Sequence, residues 1–375
     1  IDKQHDDSFA NRDAQIGDAI RIRMPHDPQV VVGRDMTDPS PDLTDKSINL
    51  RVQNRIHVPM EFNMEDLALK IEVFDERFIE PAMSNLATVL EASVLGDLTK
   101  QVPYVVGTPG TVPNSIDTAL AAKTVLSQNL ASKTGRNILL SSAASAAMVS
   151  GNKGLFNDAS QISKQYREGM MGRAAGFDWS ESESIYTHTR GSATNGTVTS
   201  TVATNGASAI SLSGLGANAT VKAGDVFAIA NVKQLHYQTK AVRNVLQQFV
   251  VTEDATASAG GVAVVNIHPA LTFAAASEYR NIDTAPQATA VVTWVGAPAS
   301  ALEQSLAYTR NAFTFATVDL PVPKGVDMAA RNVLEGVSMR MIRDYDIGKD
   351  RIRCRIDIMY GSAMLRAANA CRITS

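Results

Sequence analysis

Alternating apolar and polar residues in the first part of the chain predict a two-stranded β-ribbon. In "DAIRIRM", Ile20 and Ile22 alternate with arginines, and in "SINLRV", Ile48, Leu50 and Val52 alternate with polar residues. A period of two is typical of strands that bury one face. Because a two-stranded ribbon is marginally stable alone in water, we expect it to pack on its own body or on a neighbouring subunit.

A helical spacing of apolar residues follows from about 64 to 98. The apolar stripe consists of Leu67, Ile71, Phe74 and Phe78, then Leu86, Leu90 and Val94. Glu72, Asp75, Glu76 and Glu80 place charge on the opposite face. The pattern predicts a long spine helix with a kink or break at Pro81, since proline disrupts a helix interior.

Shorter elements come next. "SIDTALAAKTVLSQNLAS" predicts a second helix with Ser115 as its N-cap. "RNILL" predicts a short buried strand, and "SSAASAAMVSG" predicts a helix of small residues that ends at Gly151. Together with the ribbon and the spine helix, these elements indicate an α+β body.

The composition changes after Thr187. From Thr187 to Gly224 the chain has no Asp or Glu, and strand-forming residues and glycine dominate. Further strands are predicted at "GDVFAIANV", "LQQFVVTED", "GGVAVVNIHPAL" and "ATAVVTWVG". Short strands at such regular spacing are typical of an all-β sandwich or a small barrel, which we place at about 187–296.

The pattern then returns to mixed structure. "SALEQSLAYTRNAF" predicts a short helix, "TFATVDLPVPKG" an extended segment, and "VSMRMIRDYD" with "RIRCRIDIMYGSAML" a β-hairpin. In the second hairpin strand, one face carries Ile352, Cys354, Ile356 and Ile358, and the other carries Arg351, Arg353, Arg355 and Asp357. We therefore expect the all-β tract to be an insertion into one α+β body.

Composition and charge narrow the class of protein. The 375 residues are 45% hydrophobic, enough for a sizeable core in two or three lobes, and the net charge of −3 argues against a generally basic, nucleic-acid-binding surface. No apolar run reaches the roughly 18 residues of a membrane span. With only two cysteines, Cys354 and Cys371, we expect reduced thiols rather than a disulfide framework.

The sequence offers little chemistry. The six histidines are scattered singly, and no metalloprotease, nucleophile-elbow or phosphate-loop motif occurs. "DYDIGKD" resembles part of a calcium loop, but its glycine is misplaced and Arg355 stands where glutamate is needed. A turn is therefore favoured. We expect no cofactor, no metal and no catalytic residues.

The arginine stripe Arg351, Arg353 and Arg355 has two interpretations. It could bind phosphates, or it could meet acidic residues of a neighbouring element such as the spine helix. The slightly negative net charge favours the second interpretation.

The order of elements and several stretches resemble a known family. The stretches are "FDERFIEPAMSNLA", "LFNDASQISKQYREGMMGRAAGFDW", "KAGDVFAIANV", "LQQFVVTED", "LPVPKGVDMAA" and "RDYDIGKDRIRCRIDIMYGSAMLRAANACRI". With them, the chain resembles the major capsid (coat) proteins of tailed double-stranded-DNA bacteriophages, in particular those of short-tailed enterobacterial phages with an inserted β-domain. The matching stretches are structural rather than catalytic.

The resemblance implies the tailed-phage capsid fold with an inserted all-β domain. Its parts would be an N-terminal arm (1–17), an extended loop (18–62), the spine helix and peripheral domain (63–114), an axial domain in two parts (115–186 and 297–336), the inserted domain (187–296) and a C-terminal β-hairpin that returns to the peripheral domain (337–375).

It also implies a function and partners. The protein would be a structural, non-enzymatic component of the virion that assembles with itself as hexamers and pentamers. It would assemble in the host cytoplasm with a scaffolding protein and a portal ring, and enclose double-stranded DNA without sequence-specific binding. The candidate intersubunit contacts are Arg21, Arg23, Arg51, Arg55, Glu72, Asp75, Glu76, Arg351, Arg353 and Arg355.

Three other interpretations compete with the capsid. A bacterial compartment shell would share the fold but enclose enzymes, and a scaffold gene and a terminase gene nearby would argue against it. A surface-binding protein would use the Thr- and Ser-rich β-domain as its binder. An enzyme with an unrecognised site has no support beyond the length of the chain.

Overall fold

The structure, a computed structural model, describes residues 2–3, 19–23, 47–63, 79–151, 172–275, 277, 279–334 and 337–375. Within these ranges the α-helices are α1 (Glu80–Thr99), α2 (Ile116–Gln128) and α3 (Ser142–Gly151). The described residues belong to two compact units. The first holds those of 1–24, Ser47–Val94 and Phe313–Leu365, and the second holds those of Leu95–Ala312 and Arg366–Ser375.

The other described elements are β-strands and a short 3₁₀ helix, Ala367–Asn369. In chain order the strands are β1 (Asp2–Lys3), β2 (Ala19–Arg23), β3 (Ser47–Arg51), β4 (Asn54–Asn63), β5 (Val105–Val106), β6 (Arg136–Leu140), β7 (Arg173–Ala174), β8 (Phe177–Glu181), β9 (Tyr186–Thr189), β10 (Gly196–Val198), β11 (Ala207–Ser213), β12 (Thr220–Val221), β13 (Val226–Leu235), β14 (Val242–Val251), β15 (Ala255–Thr256), β16 (Ala263–Leu271), β17 (Val291–Trp294), β18 (Ala301–Thr309), β19 (Phe313–Thr317), β20 (Met328–Leu334), β21 (Val337–Asp346), β22 (Arg351–Met364) and β23 (Ala370–Thr374).

A six-stranded sheet forms the frame of the first unit. Its order is β1-β19-β22-β21-β20, with β4 also paired to β22. The 14-residue β22 is the central strand, since it pairs with β19, β21 and β4. The predicted hairpin of β21 and β22 is confirmed, and Ile352, Cys354, Ile356 and Ile358 are buried on one face as the alternation indicated.

The predicted ribbon is also confirmed, and it packs on its own unit. β2 pairs antiparallel with β3, and Ile20, Ile22 and Ile48 pack against a core that includes Leu50 and Met359. Close approach of the chain requires a glycine in β22, because a Cβ at Gly361 would collide with the backbone oxygen of Arg51.

The second half of the predicted spine helix is confirmed as α1. Leu86, Leu90 and Val94 form its buried stripe, and the Ser93 hydroxyl lies 2.6 Å from the Tyr360 hydroxyl. Pro81 is the second residue of α1. The first half of the prediction, from Leu67 to Phe78, lies outside the described residues, so the kink or break at Pro81 stays a prediction.

The second unit contains a seven-stranded sheet in the order β5-β23-β18-β6-β8-β7, with β9 paired to β18. Helices α2 and α3 share a core with this sheet, built around Leu126, Met148 and Ile138. The predicted strand "RNILL" and both predicted helices are confirmed. Ser115 caps α2 as expected, since its hydroxyl accepts a hydrogen bond from the backbone N–H of Asp117.

The helix predicted at "SALEQSLAYTRNAF" is wrong, because this segment forms β18 and the start of β19. β18 lies between β23 and β6, with β9 paired along its first residues. β18 is buried on both of its side-chain faces, since consecutive residues from Gln304 to Ala307 are buried, so its sequence does not alternate. Leu, Glu, Gln and Ala favour helices, but the pairing of β18 with neighbouring strands outweighs this local preference.

The strands of the all-β tract form a closed barrel in the order β10-β11-β16-β14-β13-β17. The sequence left a sandwich and a barrel open, and the barrel is the arrangement found. Phe227 packs against Phe249 and Trp294 in its core, with ring centroids 5.9 and 4.9 Å away.

The chain enters and leaves the barrel through neighbouring strands. β9 precedes the barrel, β18 follows it, and the two pair antiparallel from Ala301↔Thr189 to Gln304↔Tyr186. The predicted C-terminal segment 337–375 is divided between the two units, because β23 pairs with β18 in the seven-stranded sheet.

Both cysteines are free and buried, and no described helix is long and apolar enough to cross a membrane.

Candidate functional site

Three strands of the first unit place charged residues on one sheet face. Antiparallel register sets Arg353 of β22 opposite Glu61 of β4, and Asp357 of β22 opposite Arg340 of β21. We call this the charged face and define it by Arg55, Glu61, Arg340, Asp346, Arg351, Arg353, Arg355 and Asp357. It brings together four of the predicted contact residues, namely Arg55, Arg351, Arg353 and Arg355.

Asp357 is the buried centre of the charged face, with 0% of its side chain exposed. Arg340 donates to both carboxylate oxygens, at 3.0 Å from Nε and 2.8 Å from Nη2. Arg55 donates to Oδ2 through Nε at 3.1 Å and through Nη2. Arg355 Nε lies 3.4 Å from Oδ2, an ion-pair distance without a hydrogen bond.

These contacts set the ionisation of Asp357. Burial by itself would raise its pKa, but the hydrogen bonds and charges of Arg340 and Arg55 outweigh burial and hold the pKa below its ordinary value. The carboxylate is therefore charged at neutral pH and balances two arginines at the buried end of the face.

The outer end of the charged face is half-exposed. Glu61 accepts a hydrogen bond from Arg351 at 3.4 Å and forms an ion pair with Arg353 at 3.1 Å, and Arg353 also lies 3.4 Å from Asp346. The arginine stripe thus meets acidic residues, as the favoured interpretation held. The acids in these described contacts belong to β4, β21 and β22 of the same unit, and not to the spine helix that was expected.

The other predicted contact residues lie elsewhere. Arg21 and Arg23 are exposed on β2, where Arg21 Nε donates to the Ser47 hydroxyl at 2.8 Å, and Arg51 is exposed at the end of β3. Glu72, Asp75 and Glu76 lie outside the described residues. Sequence reasoning missed Arg340 and Glu61, although a single acid in the basic strand "RIRCRID" was a signal that Asp357 needs cationic neighbours.

A second cluster of buried charge joins the barrel to the seven-stranded sheet. The Asp225 carboxylate accepts from His188 Nε2 at 2.7 Å, from the backbone N–H of Lys222 at 2.8 Å and from that of Gly191 at 3.2 Å. Tyr186 Oη lies 3.3 Å from the other ring nitrogen of His188. We call Tyr186, His188, Asp225 and Arg372 the junction cluster.

Arg372 of β23 completes the junction cluster and is 1% exposed. Its guanidinium donates to the backbone oxygens of Val102 and Gly224, at 2.8 and 2.9 Å. Burial lowers the pKa of Arg372 to about 10, against the opposing charge of Asp225, so it remains protonated at neutral pH. Gly224 presents its oxygen from a backbone φ of +100°, a conformation that glycine adopts readily and other residues do not.

The buried carboxylates at the centre of the two clusters, Asp357 and Asp225, are engaged by contacts within the chain, which suits them to hold structure. Among the described residues, no group of three or more His, Cys, Asp or Glu side chains is placed to hold a metal ion. In the loop that resembles a calcium site, Asp346 accepts from the N–H of Gly348 and Asp350 from the hydroxyl of Tyr345, as in a turn.

Comparison with known proteins gives the family. The family model described as "P22 coat protein - gene protein 5" matches residues 5–370. The chain belongs to the P22 coat protein family. It is therefore a major capsid protein, the coat protein that forms a phage shell. No curated protein sequence matches it.

Solved structures of phage proteins are similar to this chain. A structure from Mycobacterium phage Che8 is similar with a TM-score of 0.50 and 12% identity, over 98% of this chain and 88% of that one. The capsid of Ralstonia phage GP4 has a TM-score of 0.48 and 6% identity over 96% and 84% of the two chains. The capsid structure of Cyanophage P-SCSP1u has a TM-score of 0.46 and 10% identity, over 96% of this chain and 83% of that one. The first supports the fold, and the other two are too distant to add to it.

The capsid-like fold expected from the sequence is thus confirmed in outline, with a β-rich body and three described helices. Membership of the P22 coat protein family also gives the charged face its context. A coat protein acts through contacts between copies of itself.

Proposed function

We propose that this coat protein builds an icosahedral shell of hexamers and pentamers around the double-stranded DNA of a tailed phage, with a scaffolding protein and a portal ring as assembly partners in the host cytoplasm. Its role would be structural and not catalytic, and it would enclose DNA without sequence-specific binding. The observation that carries the proposal is the family match across residues 5–370. The net charge of −3 fits a wall that does not adhere to packed DNA.

The domain plan expected from the resemblance is part of this proposal. The pairing of β9 with β18 supports an inserted barrel domain at about 187–296, since the sheet is continuous across the insertion point. The ribbon of β2 and β3 supports an extended loop within 18–62. The N-terminal arm, spine helix, peripheral domain and divided axial domain keep the boundaries given above, except that the last strand, β23, joins the sheet of the axial segments.

Contacts between copies would use charges that the fold leaves accessible. Arg353 is 49% exposed, and Arg21, Arg23 and Arg51 are exposed on the ribbon. Arg55 and Arg355 are partly engaged by Asp357, so we propose that they contribute more to the subunit than to its neighbours. For the acids Glu72, Asp75 and Glu76 the contact role is proposed from sequence alone.

The test is electron microscopy of the protein co-expressed with the scaffold and portal genes of its phage. Closed shells of uniform diameter that incorporate the portal and later retain DNA are expected. Shells that form without a scaffold and enclose an enzyme would support the bacterial compartment instead. Folded subunits that form no shells in the presence of an expressed scaffold would contradict the proposal.

A further inference from the structure

A cleft with two cationic side chains opens in the second unit between α2 and the barrel strand β14. It has a volume of about 480 Å³. Its lining residues are Leu120, Lys123, Thr124, Ser127, Gln128 and Arg243. Among the described residues, the lining therefore includes a guanidinium and an ammonium but no carboxylate.

Arg243 is the unusual member of this cleft. Its Nη1 is buried and has no hydrogen-bond partner among the residues that the structure describes. A buried donor left unpaired is destabilising, and more so when it is charged, so buried donors in native proteins are nearly always satisfied. The described part of the subunit thus supplies no acceptor at this point.

The neighbouring hydroxyl groups of the cleft are already engaged. The Thr124 hydroxyl donates to the backbone oxygen of Leu120 at 2.9 Å, and the Ser127 hydroxyl accepts from Arg136 at 3.0 Å. Lys123 forms part of the wall, with its ammonium close to the β7–β8 turn, because a Cβ at Gly176 would lie 3.3 Å from Nζ. An incoming anion would meet two cations there.

We propose that a carboxylate side chain of a second copy of this chain occupies the cleft in the assembled shell, between Arg243 and Lys123. Guanidinium and carboxylate groups form strong charge-assisted hydrogen bonds. A second copy is the natural source because a coat protein is surrounded by copies of itself, so the inference rests on the proposed function. A DNA phosphate is disfavoured, because the net charge of −3 argues against a surface that adheres to DNA.

The proposal is tested by zero-length cross-linking with a water-soluble carbodiimide, which joins a lysine amine to a carboxylate in contact with it. Subunits labelled with ¹⁴N and ¹⁵N are mixed, assembled with scaffold and treated as shells. We expect Lys123 to be joined to an Asp or Glu of a differently labelled copy in shells and not in free subunits. Links of Lys123 confined to copies of one label, or no link in shells, would overturn the proposal. Protection of Lys123 from acetylation only in DNA-filled shells would instead assign the cleft to phosphate.

Variants at Arg243 separate assembly from folding. Arg243→Leu and Arg243→Glu remove the unpaired guanidinium, so the urea midpoint of the free subunit should not fall, while shell yield should drop at least about fivefold through loss of a buried charge contact. Arg310→Glu, an exposed arginine outside the cleft lining, is the matched control and should assemble normally. Wild-type yield from Arg243→Glu, or a loss of subunit stability that accounts for the lost shells, would overturn the proposal. Failure of the wild-type chain to assemble would count against the proposed function instead.

Discussion

Replacing Asp357 by asparagine tests whether the buried Asp357 carboxylate holds the three strands of the charged face together. The substitution keeps the size of the side chain and removes its negative charge. Arg340, with 10% of its side chain exposed, then loses its counter-ion, while Arg55, at 38% exposed, can turn toward water. The perturbation is therefore concentrated on one buried guanidinium.

The expected loss is about 3 kcal/mol in the free energy of unfolding. Removing one partner of a buried ion pair costs about 3–5 kcal/mol, because the remaining charge is left uncompensated. We take the lower end since the asparagine amide would retain one acceptor oxygen and Arg55 is partly solvated. Against a typical total of about 5–15 kcal/mol, this would be a large part of the stability of the unit.

The assay must report on the first unit. Both tryptophans, Trp179 and Trp294, belong to the second unit, so tryptophan fluorescence would follow mainly the wrong part of the chain. Hydrogen–deuterium exchange of free subunits, read by mass spectrometry on peptides that cover β21 and β22, measures the relevant opening free energy. A loss of about 3 kcal/mol corresponds to roughly a hundredfold faster exchange in the slowest amides.

Two further variants make the test decisive. Asp344→Asn changes an exposed aspartate of β21 and should alter stability by less than about 0.5 kcal/mol. The double variant Arg340→Met with Asp357→Leu removes both buried charges and should be more stable than either single variant. Unchanged exchange in Asp357→Asn would refute the claim that this carboxylate holds the three strands together.

Four other outcomes are expected from the structure. The pKa of Asp357 is depressed in the folded chain. The ionised carboxylate therefore contributes fully to stability at a pH above its ordinary pKa, and this contribution is lost as the pH falls through the pKa of the folded state. Urea midpoints of the first unit from about pH 7 to about pH 3 should thus fall less in Asp357→Asn than in wild type. Gly224→Ala, at a φ of +100° with a Cβ 3.1 Å from His188, should destabilise the second unit by about 1–3 kcal/mol, and an unchanged urea midpoint by Trp294 fluorescence would contradict this strain. Ser115→Ala should cost about 1 kcal/mol by exposing an unpaired N–H at the start of α2, seen as faster exchange there and nowhere else. Arg353→Glu should reduce shell yield more than subunit stability, since its exposed ion pairs contribute at most about 1 kcal/mol, and a normal yield would remove Arg353 from the candidate contacts.

Local patterns predicted the elements that bury one face. The two-residue alternation in β2, β3 and β22, the cap at Ser115 and the stripe of α1 each depend on neighbours in sequence, and each was found. The failure at β18 has the opposite cause. A central strand is defined by its pairing partners, here β6, β9 and β23, and none of these adjoins it in sequence.

The clusters of buried charge were beyond local patterns for the same reason. The junction cluster joins residues that are 37 positions apart in the case of His188 and Asp225, and 148 apart in the case of Arg372 and Gly224. From the sequence by itself, His188 cannot be distinguished from an ordinary strand residue. The alternation in β22 correctly predicted which sheet face carries Asp357. It did not predict that Asp357 is buried, because its burial depends on Arg340 and Arg55 from two other strands.

The charged residues of this coat protein have different roles according to how deeply they are buried. Asp357 and Asp225 are buried and saturated by contacts within their own units, so they can stabilise the subunit but have little left to offer a neighbour. The half-exposed Arg353 retains that capacity, at low energy for each contact. Arg243 combines burial with an unsatisfied donor, and a subunit that forms many weak contacts in a closed shell gains most where assembly supplies a missing acceptor.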